Sequence, residues 1–163
     1  MLKKTLGIAL LMASLSATAF AAIPKDSMHI GGLKIGMTMD QIVAIYGTPE
    51  KVNVPSKAAG GMYYIAGGAI NGWISDGVFD EYALHAGRPG AENVTVAGDL
   101  VLGMTQEDAL NRLGNPDRLE KIGSRVYYTY KSIEPGSKSW RQNDFLILSF
   151  ENGRLVGVSI NLV

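Results

Sequence analysis

One fourteen-residue pattern occurs twice in this chain. Residues 36–49 read GMTMDQIVAIYGTP and residues 103–116 read GMTQEDALNRLGNP, at a constant offset of 67 with no gap. Gly, Met and Thr match at the front, and Gly-x-Pro matches at the back. Self-similarity at a fixed offset is the mark of a duplicated structural unit. In each copy a threonine (Thr38, Thr105) is placed to cap a helix N-terminus, its hydroxyl accepting from a free N–H of the first turn. Gln41 completes a capping box after Thr38, and Asp108 offers a weaker version after Thr105. Asp40 and Glu107 place negative charge at the positive helix end.

Apolar stripes follow, at Ile42, Val43 and Tyr46, and at Ala109, Leu110 and Leu113. Gly47 and Gly114 are set to end each helix in the left-handed conformation, with Pro49 and Pro116 blocking its resumption. Helices of about 8 to 10 residues are too short to persist alone in water. They must dock on something, and strand signals supply it.

In the first copy, Met62–Ile65 reads as a strand and residues 66–72 as a glycine-rich turn or loop. Residues 73–75 and 78–84 form a hairpin about Asp76-Gly77. In the second copy, residues 125–131 form a strand and residues 132–143 a polar loop. Residues 145–150 and 154–162 form a hairpin about Asn152-Gly153. Leu146, Leu148 and Phe150 share one face, as do Val156, Val158, Ile160 and Leu162. The expected fold class is α+β, with two tandem repeats, each a short helical segment packed on an antiparallel sheet.

Residues 1–21 read as a secretory signal: Lys3 and Lys4, an apolar stretch from Leu6 to Phe20, and Ala19-Phe20-Ala21 as a small-x-small cleavage site. The expected organisation is therefore a signal at 1–21, a first repeat at 22–92 and a second at 93–163. Removing the signal leaves 13 basic and 15 acidic residues, a formal charge of −2. That balance argues against non-specific nucleic-acid binding. No integral membrane span is expected after signal removal. Cysteine is absent, so no disulfide and no lipid-bearing cysteine contribute.

Catalytic signatures are missing. His29 and His85 are too few for a closed zinc site. No Gly-x-Ser-x-Gly elbow or Ser-x-x-Lys pair occurs. Asp76, Asp80 and Glu81 lack the ligand spacing of a calcium loop. No catalytic residue, metal ligand or cofactor is expected.

The aromatic residues carry more information. Most lie in strands and read as core or cross-strand pairs. With Ile74 in the core, Trp73 turns away from it; with Tyr64 and Tyr128 in the core, Tyr63 and Tyr127 turn away. Trp140 sits in a polar loop beside Arg141, and exposed Trp and Arg are favoured interface anchors. Tyr63, Trp73, Tyr127, Trp140 and Arg141 are thus the candidate partner-binding set.

Gly-Met-Thr, a helix, Gly-x-Pro, then a strand and a hairpin resembles the SmpA/OmlA (BamE-like) outer-membrane assembly domain. Two such units in one exported chain resemble the tandem β-lactamase-inhibitor-protein fold. The resemblance covers nearly all of the chain after the signal, with its identities in residues 36–49 and 103–116. It implies a periplasmic or secreted, non-catalytic module of the bacterial cell envelope that binds another envelope or secreted protein. An enzyme inhibitor and an outer-membrane-assembly accessory are its two specific forms. The family's assembly factors carry a lipid-bearing cysteine and its inhibitors carry disulfides; this chain has neither. The alternative is a small-ligand or cell-wall glycan binding protein, with the same aromatics stacking on sugar rings.

Overall fold

The computed structural model describes residues 23–52, 60–133 and 144–162. The expected signal at 1–21, Trp140 and Arg141 lie outside the described residues.

Both copies of the repeated pattern form a helix, α1 (Met39–Tyr46) and α2 (Gln106–Leu113), of eight residues each. Each begins with a full capping box. Thr38 N–H donates to Gln41 Oε1 at 2.8 Å, and Gln41 N–H donates to Thr38 Oγ1 at 3.4 Å. The Asp108 box is the tighter one, with Thr105 N–H to Asp108 Oδ2 at 2.8 Å and Asp108 N–H to Thr105 Oγ1 at 3.0 Å. A carboxylate accepts more strongly than an amide oxygen. The Thr105 N–H, with the Thr105 hydroxyl second, holds the Asp108 carboxyl below its ordinary pKa.

The strands are β1 (Ile23–Pro24), β2 (Glu50–Val52), β3 (Gly60–Ile65), β4 (Ile70–Ser75), β5 (Val78–His85), β6 (Arg118–Ile122), β7 (Arg125–Ile133), β8 (Asp144–Glu151) and β9 (Arg154–Leu162). All nine join one sheet in the order β1-β7-β8-β9-β5-β4-β3-β2, with β6 also on β7. Every pairing is antiparallel except β1 with β7.

This corrects the expected α+β plan of two tandem repeats, each a short helical segment packed on an antiparallel sheet. Strand and bridge residues make up 51% of the described residues, in one mixed sheet, with two α-helices among them. The physical reason is edge pairing. Two separate sheets would each expose unpaired backbone at β5 and β9, and joining those edges satisfies both. β5 and β9 pair over five residues, from Glu81↔Asn161 to His85↔Gly157. Two strands go beyond the sequence reading. β2 lies in a stretch where the sequence signals no strand, and β6 carries no apolar alternation. β4 starts at Ile70, inside the expected glycine-rich turn.

The core lies on one face of the sheet. Ile65, Ile70, Phe79, Tyr82, Leu84, Tyr128, Tyr130, Leu146, Leu148, Phe150, Val158 and Ile160 enter it from the strands, and Ile42, Ala109 and Leu113 from the helices. Phe79 stacks on Tyr82 with centroids 5.5 Å apart, and Tyr128 tilts on Phe150 at 4.9 Å. The repeated Gly-Met pair ties each helix to the sheet. Gly36 N–H donates to Phe79 O and Phe79 N–H to Met37 O; Gly103 N–H donates to Leu155 O and Leu155 N–H to Met104 O, all at 2.8 Å. A bulge between Ser149 and Phe150 sets Leu155 opposite Phe150. Leu155 is therefore buried and Val156 only half-buried, contrary to the simple alternation. Among the described residues no helix is long and apolar enough to cross a membrane.

Gly47 and Gly114 end the helices at φ 77° and 76°, but with ψ −175° and −165° rather than in the left-handed helical well. That region is essentially closed to residues with a Cβ. A Cβ at Gly47 would meet nothing within 4 Å, so the cost of substitution there is in the backbone alone. Gly47→Val and Gly114→Val should each lower stability by about 1–3 kcal/mol. Urea denaturation checks this; unchanged midpoints for both would show that these helix ends are not strained.

Candidate functional site: the open face of the sheet

Strand register decides which side chains leave the core. Opposite residues in an antiparallel pair share a face, and the faces alternate along each strand. Ile65 pairs with Ile70 and both are buried, so Tyr63, opposite Gly72, is on the packed face. Its ring meets Phe79 edge-on at 5.9 Å and packs against the core. The expectation that Tyr63 turns away is corrected: Tyr63 faces the core and Tyr64 faces out. No bulge lies between Tyr64 and Ile65, so burial of Ile65 settles the parity.

Trp73, between Gly72 and Ile74, points to the open face, as the alternation predicts. It stands opposite Met62 on β3 and Glu81 on β5. Tyr127 also reaches this face, beside Tyr128 in the core. Phe145 and Ile147 on β8 lie there too, half-buried. None of these open-face residues belongs to the core cluster.

The indole of Trp73 extends across β3. A Cβ at Gly60 would lie 3.1 Å from Trp73 Nε1, so the absent side chain at Gly60 lets the ring lie over the strand. Beside it is a hollow of about 190 Å³ lined by Met62, Asn71, Gly72, Trp73, Glu81, Ala83 and His85. Asn71 Oδ1 is shielded from solvent and has no hydrogen-bond partner among the described residues; Asn161 Oδ1, next to Glu81 on β9, is the same. Arg88 sits over the ring of Tyr64 at 5.3 Å. Among the described residues, no three His, Cys, Asp or Glu side chains converge as a metal cluster would require.

The structure therefore brings Trp73 and Tyr127 to one face and removes Tyr63 from it. Trp73 and Tyr127 are separated by four strand steps through β5, β9 and β8, about 19 Å sideways. Lys131 is the residue in register with Trp73, so Tyr127 lies a further four residues along β7, and together that is about 23 Å. Met62, Tyr64, Asn71, Glu81 and His85 are not singled out as site residues by the sequence reading. Met62 and Glu81 could be found only by knowing which residues lie opposite Trp73, and Asn71, two residues before it, only by knowing that β4 already begins at Ile70.

No family model matches this chain, and no curated protein matches it. It is similar to a solved structure, a DUF4309 family protein (YjgB) from Bacillus subtilis subsp. subtilis str. 168. The identity is 17%, over 81% of this chain and 83% of that one, with a TM-score of 0.46. A likeness that distant assigns no function.

The face assignment separates two neighbouring aromatics. Tyr63→Ala should cost on the order of 3 kcal/mol, because it opens space against Phe79. Trp73→Ala should cost about 1 kcal/mol or less, because its ring lies outside the core. Equal losses on thermal or urea melting would contradict the register given above.

Proposed function

We propose that this chain is an exported, non-catalytic binding module of the bacterial cell envelope, whose open sheet face receives another protein. The observation that carries the reading is the placement of Trp73 and Tyr127 on one face, about 23 Å apart. That spacing exceeds the reach of one small ligand and suits a partner with a broad surface. Seven strand steps of about 4.8 Å make the sheet about 34 Å wide. With strands about 20 Å long, the face offers on the order of 700 Å², near the roughly 800 Å² that each partner contributes to a standard protein interface. The hollow beside Trp73 is smaller than the roughly 300 Å³ at which drug-sized ligand sites begin. It can receive one side chain or one ring. The signal pattern at residues 1–21 and the resemblance of the repeated Gly-Met-Thr pattern to SmpA/OmlA domains support the envelope location.

A second reading is favoured by one feature. Trp73 presents a flat ring beside Asn71, Glu81 and His85, and an aromatic platform flanked by amide and carboxylate groups also suits a sugar ring. In that case Tyr127 would be a bystander.

Capture from envelope extract by wild type, Trp73→Ala and Tyr127→Ala, together with a cell-wall glycan panel, separates the two. The protein reading expects both variants to fold and both to lose the same captured protein, each by about tenfold or more in affinity. Binding of a glycan that depends on Trp73 but not Tyr127 would replace it with the second reading. Unchanged capture by both variants would end the protein reading at this face.

A further inference from the structure

We infer that β6 is a self-complementary edge through which two copies of this chain pair, extending the sheet across a two-fold axis. β6 pairs with β7 alone, and among the described residues no strand lies along its other side. Free strand edges are templates for further pairing. This one carries the two most exposed large apolar side chains among the described residues, Leu119 at 60% and Ile122 at 64%. Charges ordinarily blunt such an edge. Here the order of the charges favours pairing with itself.

The strand reads Arg118-Leu119-Glu120-Lys121-Ile122, preceded by Asp117. Arg118, Glu120 and Ile122 lie on the open face, and Leu119 and Lys121 on the packed face, from their pairing with β7. For two copies to continue one sheet antiparallel, residues of the same face must oppose each other, so the two-fold axis passes through a residue. Centring on Leu119 sets Leu119 against the partner's Leu119. Arg118 then faces the partner's Glu120, and Glu120 faces the partner's Arg118. Asp117, whose carboxylate is held at the strand's start by Lys131 N–H at 2.8 Å, falls opposite the partner's Lys121.

Other centres lack this match. Centring on Arg118, Glu120 or Lys121 opposes that charge to its own copy. Centring on Ile122 leaves Glu120 and Lys121 facing the turn residues Ser124 and Gly123. Opposite charges across a strand pair stabilise it, and like charges destabilise it. Within one copy Arg118 and Glu120 already form an ion pair, but their side chains remain 68% and 38% exposed. They stay accessible to a second copy, where the four charges alternate in sign. The open faces of the two copies would then be continuous, although the inference does not depend on what that face binds.

Charge reversal tests both the pairing and its register. In Arg118→Glu the introduced carboxylate would face the partner's Glu120, and in Glu120→Arg the introduced guanidinium would face the partner's Arg118. Either variant alone should dissociate about tenfold or more readily than wild type in sedimentation velocity at low salt. Mixed in equal amounts, the two should recover a dimer, because both cross-pairs are again of opposite sign. That recovery cannot arise from the ion pair within one copy. Circular dichroism melting of each variant checks that the fold is retained, and Leu119→Lys should also give a monomer. The inference is overturned if wild type is monomeric at about 1 mM, where even a millimolar affinity would be visible. It is overturned equally if the single reversals associate like wild type, or if their mixture remains monomeric.

Discussion

The structure depends on the pairing of β5 with β9. Strands β2 to β5 are contiguous in sequence, as are β6 to β9, and each set is built mainly from local antiparallel contacts. Five residue pairs between β5 and β9 turn these two sets into one sheet. Tyr82 and Leu84 face the core at this seam, opposite Ile160 and Val158. All four are buried, so the seam closes the backbone edges and the apolar core together. Cross-strand apolar pairs of this kind contribute roughly 0.2–1 kcal/mol each beyond alanine. The N-terminal β1 adds a second long-range tie by pairing in parallel with β7.

The repeated sequence pattern is best understood as a pair of clamps on that sheet. Eight-residue helices have little intrinsic stability. Each is held by a capping box at its start and by reciprocal backbone bonds from the Gly-Met pair to a hairpin strand, Phe79 in one case and Leu155 in the other. The two lead-in segments also meet each other. Gly31 N–H donates to Thr95 O at 2.7 Å, and Ala97 N–H donates to His29 O at 3.1 Å. The clamps therefore act on one shared core rather than on two.

Local chemistry makes some of this legible in the sequence. Capping residues, Asn-Gly and Asp-Gly turns and apolar periodicity act within a few positions, so the helices and both tight hairpins can be read directly. Trp73 and Tyr127 read as open-face residues because their neighbours, Ile74 and Tyr128, read as core. Tyr63 reads the same way, but a Tyr-Tyr pair offers two equivalent parities: the choice holds for Tyr127-Tyr128 and fails for Tyr63-Tyr64, where Ile65, one residue further on, decides. β6 escapes because an edge strand need not alternate, and its charges imitate a solvated loop. The β5–β9 seam has no local signal at all, since its partners lie far apart in sequence and either strand alone reads as an edge. The same holds for the hollow at Trp73, which takes its walls from β3, β4 and β5.

One sheet with one core makes a specific physical demand: the seam must be as stable as the hairpins on either side of it. Native-state hydrogen exchange across increasing denaturant measures this residue by residue. The amides of Tyr82 to Leu84 in β5 and Val158 to Ile160 in β9 should exchange only through global unfolding, with the same opening free energy as the centre of β8. If those amides instead open at low free energy while β3–β4 and β7–β8 remain protected, the chain consists of two independently stable halves in loose contact, and the single-sheet account is wrong.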